Sequence, residues 1–462
     1  MENFKKISKI FGKILIIIAF IALTVVSTNF HEPWSDEAQS FLIARDTSLT
    51  EMFGYMKYEG TPPLWVLIIK LFIFVGGTYE TFYILPIIFS VLGVILFEFK
   101  IKAPWYIKLL FPFTYFVLYQ YTIIARSYCL VFPSLMLLAI VYEKRFDKPF
   151  LYFLSLCILM NICVHTFMIA TSFYIIYCIE NIKEKNFKNI KISIVSILIF
   201  LALALAAISA IPPNDGVYMT NKGKNVLEVI SEFTIGNDES VTIQIIITSI
   251  FLLIIGYIMR KKEVKDFLEI TIIFLPLFAL SMVVTCQKWH IGIFWILLVL
   301  YLIIKDSINK EVIAKILITG ICLVQIIWTF KTYRYDVTEK YSASRDVAEF
   351  IKQYNYEELN IYGLGYSVTA IQPYFEKNIF DNKESDKAFN FWKMDGMYFP
   401  TENFEIDADM YVVSEIYVEE PIIKNAYKKI DKSLYEEYKF EGNLYIKDDI
   451  FESEGYIVLV KK

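Results

Sequence analysis

The chain has 462 residues, of which 56% are hydrophobic, 17% aromatic and only 20% charged. Soluble globular proteins carry about a quarter charged residues and a smaller apolar share, so the composition excludes an ordinary soluble enzyme and describes an integral membrane protein. The formal net charge of −4 says less than the placement of the charges, and no nucleic-acid partner is expected.

Lys5, Lys6, Lys9 and Lys13 precede the first apolar run, which has the pattern of a signal peptide. No Ala-x-Ala-like site follows, and Asn29-Phe30-His31-Glu32 is a poor cleavage site, so an uncleaved first membrane helix is expected. Apolar blocks recur at 11–28, 79–98, 104–119, 128–142, 149–164, 166–180, 190–211, 241–259, 267–286, 290–304 and 312–330. The longer ones match the roughly 20 residues that cross a bilayer. Lys and Arg collect in the connections 5–13, 100–102, 144–148, 183–191 and 260–265, with 305–310 mixed. The remaining connections, 29–78, 119–127, the turn near His165, 212–240 and 286–290, are acidic or nearly neutral.

Basic connections belong in the cytoplasm. The two sets alternate if residues 63–75, short and carrying Lys70, do not cross but are re-entrant or interfacial. A polytopic α-helical membrane protein of about 11 transmembrane helices follows. Residues 1–330 form its transmembrane module, with a first outer loop at 29–78, a cytoplasmic N-terminus and an extracytoplasmic 331–462. Lysine-rich, arginine-poor usage suggests the cytoplasmic membrane of a low-GC bacterium. Cys129, Cys157, Cys163, Cys178, Cys286 and Cys322 lie in or beside apolar blocks and form no Cys-x-x-Cys pair, so no disulfide framework or thiolate metal site is expected.

The first outer loop contains His31-Glu32-Pro33-Trp34-Ser35-Asp36-Glu37-Ala38-Gln39 and continues to Thr61-Pro62-Pro63-Leu64-Trp65. Ser35 is expected to N-cap a helix with Asp36 and Glu37 in its first turn. A second helix is expected from Ser48, where Ser48 and Glu51 fit a capping box. Its Leu49, Met52, Phe53 and Met56 make one apolar stripe, and both helices are expected to lie on the outer membrane face. On local physics Asp36 and Glu37 are helix caps. Their position at the membrane surface beside Trp34 suggests more, because a carboxylate there reaches a lipid-borne phosphate ester and a hydroxyl acceptor together, and can serve as general base.

The run Trp34-Ser35-Asp36-Glu37-Ala38-Gln39, followed by Glu59-Gly60-Thr61-Pro62-Pro63-Leu64, resembles the first outer loop of C-type (GT-C) glycosyltransferases. It is similar to the bacterial relatives of dolichyl-phosphate-mannose protein mannosyltransferases and of the lipid A aminoarabinose transferase. Thr61 stands where that loop often carries His. The similarity covers roughly the first 130 residues. It implies a multi-helix membrane body with an outer C-terminal domain, and Asp36 as catalytic base with Glu37 beside it.

Arg126, in Ala125-Arg126-Ser127-Tyr128, either snorkels to lipid headgroups or presents its guanidinium fork to a carrier phosphate. The Arg-x-Tyr pattern of Arg126 and Tyr128 also resembles the superfamily and implies the second role. No Asp or Glu lies between Lys102 and Tyr142, which argues against a two-carboxylate or metal-bridged site. Lys288 and His290 either neutralise the leaving phosphate or anchor the interface with Trp289, and His165 reads as an anchor. Arg45 orients Asp36 or only pairs with it. The three His residues are too dispersed for a metal site by spacing, no cofactor is required, and a divalent ion has no support in the sequence. Gly363-Leu364-Gly365 lacks the third glycine of a nucleotide fingerprint.

From 331 the composition becomes that of a small α/β domain. A helix is expected at 342–354, a strand at 359–362, a turn at Gly363 and Gly365 before a helical stretch to Tyr374, strands at 410–413 and 456–460, and a helix at 422–430. The resulting expectation is an inverting glycosyltransferase that takes sugar from a polyprenyl-phosphate donor to a hydroxyl of a lipid, glycan or protein acceptor. Rival readings are a transporter or flippase of a lipid-linked saccharide, whose polar groups would sit at mid-bilayer, a non-catalytic assembly protein, and a polysaccharide polymerase or ligase using a diphosphate-linked donor.

Overall fold

The computed structural model describes residues 2–211, 213–216, 223–236, 240–260, 262–284, 286–382, 387–393, 407–447 and 449–462. It is mostly helical, with a small sheet region near the C-terminus. The long first helix α1 (Glu2–Thr28) is followed by three short ones, α2 (Ser35–Asp46), α3 (Leu49–Glu59) and α4 (Leu64–Phe74). Then come α5 (Ile84–Lys100), α6 (Trp105–Leu110), α7 (Val131–Tyr142), α8 (Pro149–Met160), α9 (Val164–Lys183) and α10 (Ile190–Ala210). The helical body ends with α11 (Val226–Thr234), α12 (Val241–Met259), α13 (Val264–Val283), α14 (Lys288–Ile304), α15 (Ser307–Lys310) and α16 (Val312–Thr338).

Among the described residues, six helical segments are long and apolar enough to cross a membrane: Ile7–Thr28, Tyr79–Lys100, Ile190–Ala210, Val241–Met259, Val264–Val283 and Val312–Thr338. Their outward faces carry large exposed apolar side chains such as Ile18, Phe200, Leu205, Leu253 and Phe330. A surface of that kind has the character of one bathed in lipid rather than water.

The apolar block at 104–119 is not one helix. It breaks into α6, a 3-10 turn at Phe111–Phe113 and a π-helical turn at Tyr115–Gln120. Pro112 cannot supply a helical N–H, and the side chains of Tyr115, Phe116 and Tyr119 are fully buried. Irregular backbone at such depth is tolerated where protein surrounds it. Gly292 on α14 permits that enclosure, since a Cβ there would lie 2.6 Å from the Tyr121 hydroxyl oxygen. The 63–75 segment forms α4, whose 11 residues span only about 16 Å. Lys70 donates to the carbonyl of Ala44 at 2.9 Å and also to that of Thr47, at the C-terminal end of α2 where a cation is favoured.

The C-terminal region contains α17 (Ser344–Gln353), α18 (Pro421–Lys429) and a four-stranded sheet in the order β1 (Ile361–Leu364), β2 (Met410–Ser414), β6 (Tyr456–Lys461), β3 (Tyr435–Phe440). β1 and β2 are parallel and the other pairings antiparallel. Side chains alternate faces along a strand. Met410, Val412 and Val458 therefore pack with Val347 and Ile351 of α17, while Tyr411, Val413 and Leu459 pack with Ile423 of α18. A separate hairpin, β4 (Asn443–Ile446) and β5 (Asp449–Ser453), leaves the sheet. Its Leu444 and Ile446 enter the apolar core of the helical body.

Candidate functional site

Docking of the hairpin and of residues 366–374 covers α2, which is therefore a buried helix and not the surface helix expected from sequence. Glu37, Ala38, Gln39, Phe41, Leu42, Ile43 and Ala44 are all buried. α3 is closer to expectation: Ser48 and Glu51 form the capping box (2.7 and 3.2 Å), and Met52 and Met56 face inward while Leu49 and Phe53 remain exposed.

Trp34, not Ser35, is the N-cap of α2. The cap is made by two carboxylates, one from the helix's own first turn and one from the C-terminal domain. Glu37 Oε2 accepts the Trp34 N–H at 3.1 Å, and Glu454 accepts from Ser35 N at 3.0 Å and from the Ser35 hydroxyl at 3.0 Å. Helix N-termini favour such anions. Glu37 is 1% exposed, and its other oxygen accepts the Ala125 N–H at 2.6 Å, while His31 Nε2 lies 3.2 Å from Oε2. Glu37 thus ties α2 to the segment bearing Arg126, and its oxygens are occupied.

Asp36, next along the helix, faces a different opening. Its Oδ2 lies 2.8 Å from Arg126 Nη1, and its Oδ1 accepts the Tyr366 hydroxyl at 3.0 Å. The two ion-paired side chains keep 22% and 20% exposure, so a ligand can reach them. Although the charges are close, the buried Arg126 Nη1 makes no aligned hydrogen bond. The guanidinium is enclosed by the rings of Trp289, Tyr128 and Trp34, with centroids at 4.7, 5.3 and 5.6 Å, and cation–π attraction holds it there.

Behind Tyr128 stands His290. Its Nδ1 accepts the Gln287 N–H at 2.8 Å and its Nε2 lies 2.8 Å from the Tyr128 hydroxyl. A neutral ring that accepts at Nδ1 carries its proton on Nε2; it donates to the Tyr128 oxygen and leaves the phenolic hydrogen for another acceptor. Lys288 is buried with its ammonium 5.6 Å from the centre of the Phe451 ring. Arg45 lies elsewhere: it pairs with Asp46 at 2.6 Å and donates to the carbonyl of Phe375 at 2.7 Å.

Two acidic groups not singled out in the sequence stand near Asp36. Glu59, at the end of α3, accepts the Gln39 side-chain N–H at 2.7 Å, and Gln39 lies one turn along α2 from Asp36. Burial pushes Glu59 up to about 7 against that hydrogen bond, and the Asp36 charge adds to the rise. Glu452, on β5, is pushed up to about 7 by burial and then by Asp36. Glu59 lay inside the motif read from the sequence; Glu452 sits in a charged, unpatterned stretch that gave no signal.

His165, stacked on His290, is buried rather than interfacial, and its Nε2 has no hydrogen-bond partner. Together with Cys286 the two imidazoles place ligand atoms within 4.8 Å of one another. The rings, however, lie 4.2 Å apart with planes 20° from parallel, so no point lies in both ring planes at the roughly 2 Å of a metal–nitrogen bond. Both nitrogens of His290 are also engaged, so these residues as arranged do not fit an ion.

Compared with protein-family models, curated proteins and solved structures, the chain matches none.

Proposed function

We propose that the chain is a GT-C-type glycosyltransferase that moves a sugar from a polyprenyl-phosphate carrier to an acceptor hydroxyl outside the cytoplasmic membrane. The observation carrying this reading is the Asp36–Arg126 pair, partly open and walled by Trp34, Tyr128 and Trp289. It lies where the apolar helices meet the sheet domain, so a lipid-borne phosphate and a hydroxyl acceptor can arrive from opposite sides. Arg126 takes the phosphate oxygens with its partly exposed guanidinium, and the Tyr128 hydroxyl, its hydrogen left over by His290, joins it. As the phosphate claims the guanidinium, Asp36 is released toward the acceptor hydroxyl as general base. Displacement at the anomeric carbon in one step inverts it.

The eleven-crossing topology belongs to the same proposal, with the N-terminus in the cytoplasm and the sheet domain outside. Partly buried ion pairs of Lys305 with Asp266 and Glu269, and of Arg145 with Glu180, lie in or beside connections assigned to the cytoplasm. A transporter reading would want its ionisable groups at mid-bilayer.

The test is transfer by the purified protein in lipid nanodiscs, offered radiolabelled polyprenyl-phosphate hexoses. Wild type cleaves the donor; Asp36→Asn, with unchanged melting temperature, loses about 10²- to 10⁴-fold in rate. Full activity in a folded Asp36→Asn variant would remove Asp36 from the mechanism.

A further inference from the structure

The hairpin β4–β5 brings a carboxylate beside the Asp36–Arg126 pair. Phe451 packs on Trp289 with ring centroids 5.8 Å apart, and Trp289 in turn covers Arg126. Glu454 reaches Ser35, the residue before Asp36, through two hydrogen bonds of 3.0 Å. The Glu454 N–H continues the hairpin ladder to the Gly442 carbonyl at 2.8 Å. Side chains alternate along an extended chain, so Glu452 stands on the same side as Glu454, toward the N-terminal turn of α2 and within reach of the Asp36 charge. The hairpin is held there firmly. Tyr445 stacks on Tyr335 at 4.3 Å and 10°, the Lys447 carbonyl accepts the Thr332 hydroxyl at 3.1 Å, and the Lys447 ammonium pairs with Glu232 at 3.0 Å.

The three carboxylates around the opening differ in what engages them. Asp36 has Arg126 and Tyr366 as partners. Glu59 is held by Gln39. Glu452 has no hydrogen bond or ion pair among the described residues, yet it is sheltered from water. A carboxylate sheltered from water and facing another negative group holds a proton more readily than an exposed one, and with no donor committed to it Glu452 is free to receive one.

Resting on the glycosyltransferase reading, we propose that Glu452 of the C-terminal domain is a catalytic residue: it works as a pair with Asp36 and is where the acceptor's proton comes to rest. The acceptor oxygen forms its bond to the anomeric carbon, and the bond from that carbon to the phosphate oxygen breaks, its electron pair leaving on the phosphate held by Arg126. The hydroxyl proton, drawn off between the two carboxylates, ends on Glu452, while Asp36, its guanidinium turned to the phosphate, keeps the Tyr366 hydroxyl. The sheet domain thereby completes the active site.

The experiment is the pH dependence of donor cleavage by full-length protein in nanodiscs. The donors are radiolabelled polyprenyl-phosphate glucose, mannose and galactose, and host membrane extract with water supplies acceptor hydroxyls. Glu452 must be ionised to act, so the wild-type rate falls on the acid side of about pH 7. Glu452→Gln abolishes that acid limb and lowers kcat by about 10²- to 10⁴-fold with the donor KM unchanged, because Glu452 touches the acceptor and not the phosphate. Glu452→Asp keeps the limb at reduced rate. A folded Glu452→Gln protein with wild-type kcat and the same limb overturns the proposal while leaving the glycosyltransferase reading intact. If Glu452→Gln does not fold, Glu452→Asp decides: a retained limb supports the role, and its absence overturns it. A wild type that cleaves none of the donors overturns the reading and this proposal together.

Discussion

At the scale of single residues, adjacent carboxylates of one helical turn have opposite duties. Asp36 and Glu37 look alike in sequence, as a capping pair beside Trp34, and nothing local distinguishes them. The difference lies in their partners. Glu37 accepts from Ala125 N, 88 positions away, and from Trp34 N, whereas Asp36 meets a cation and a phenol at an opening. Glu37→Gln puts an amide donor against buried N–H groups, so it is expected to lose about 2–3 kcal/mol of stability, as befits hydrogen bonds to a buried charged group. Thermal unfolding checks this: Glu37→Gln lowers the melting temperature, and Asp36→Asn does not. Arg126 was singled out in sequence by Arg-x-Tyr and the fold brings it to Asp36, but Arg45 was not separable from it by residue type. Only the fold shows Arg45 spent on Asp46 and a carbonyl. His165, read as an interfacial anchor, is instead a buried partner of His290; stacking of rings from two helices leaves no trace in spacing.

At the scale of elements, periodicity served well wherever one pattern ran uninterrupted. The strands at 410–413 and 456–460 were visible because sheet burial on both faces makes them nearly continuous apolar runs, and α17 and α18 were visible through their amphipathic stripes. β3, β4 and β5 were missed. Tyr435-Glu436-Glu437-Tyr438-Lys439-Phe440 is an exposed edge whose charges mask its alternation, and the hairpin's apolar residues bury against another module. α11 was read only as a loop. Its Glu232 and the hairpin's Lys447 form a pair with side chains 2% and 1% exposed, and Lys224 adds a second cation at 2.5 Å. Removing Lys447 leaves Glu232 with Lys224 alone and empties a buried site, at a cost of up to about 3–5 kcal/mol. Lys447→Ala should therefore destabilise the hairpin, and its donor-cleavage rate should fall together with the protease resistance of residues 443–453. Resistance equal to wild type would show that the pair does not hold the hairpin.

At the scale of the whole molecule, the C-terminal domain contributes to the candidate site and is not an appendage. Tyr366 is placed by a 3-10 helix entered through Gly365, whose φ of 96° suits glycine, and its hydroxyl reaches Asp36 across 330 positions. The proposed orientation can be read in whole cells. Asp431 is exposed on this domain, whereas the native cysteines are buried or partly buried. Asp431→Cys is expected to react with a membrane-impermeant maleimide added outside, and wild type to stay nearly unlabelled. Labelling of Asp431→Cys only after lysis would invert the topology. By itself the sequence determined the apolar helices, the sites of its strongest strands and the loop bearing Asp36, because hydropathy and periodicity are local properties summed over a few turns. Which of those helices would be broken by Pro112, that α2 would be covered, and that Glu454 would cap Ser35 from 419 positions away were decided by the tertiary structure. Such contacts join segments whose meeting depends on how whole modules bury their apolar faces against each other, and no window along the chain contains both partners.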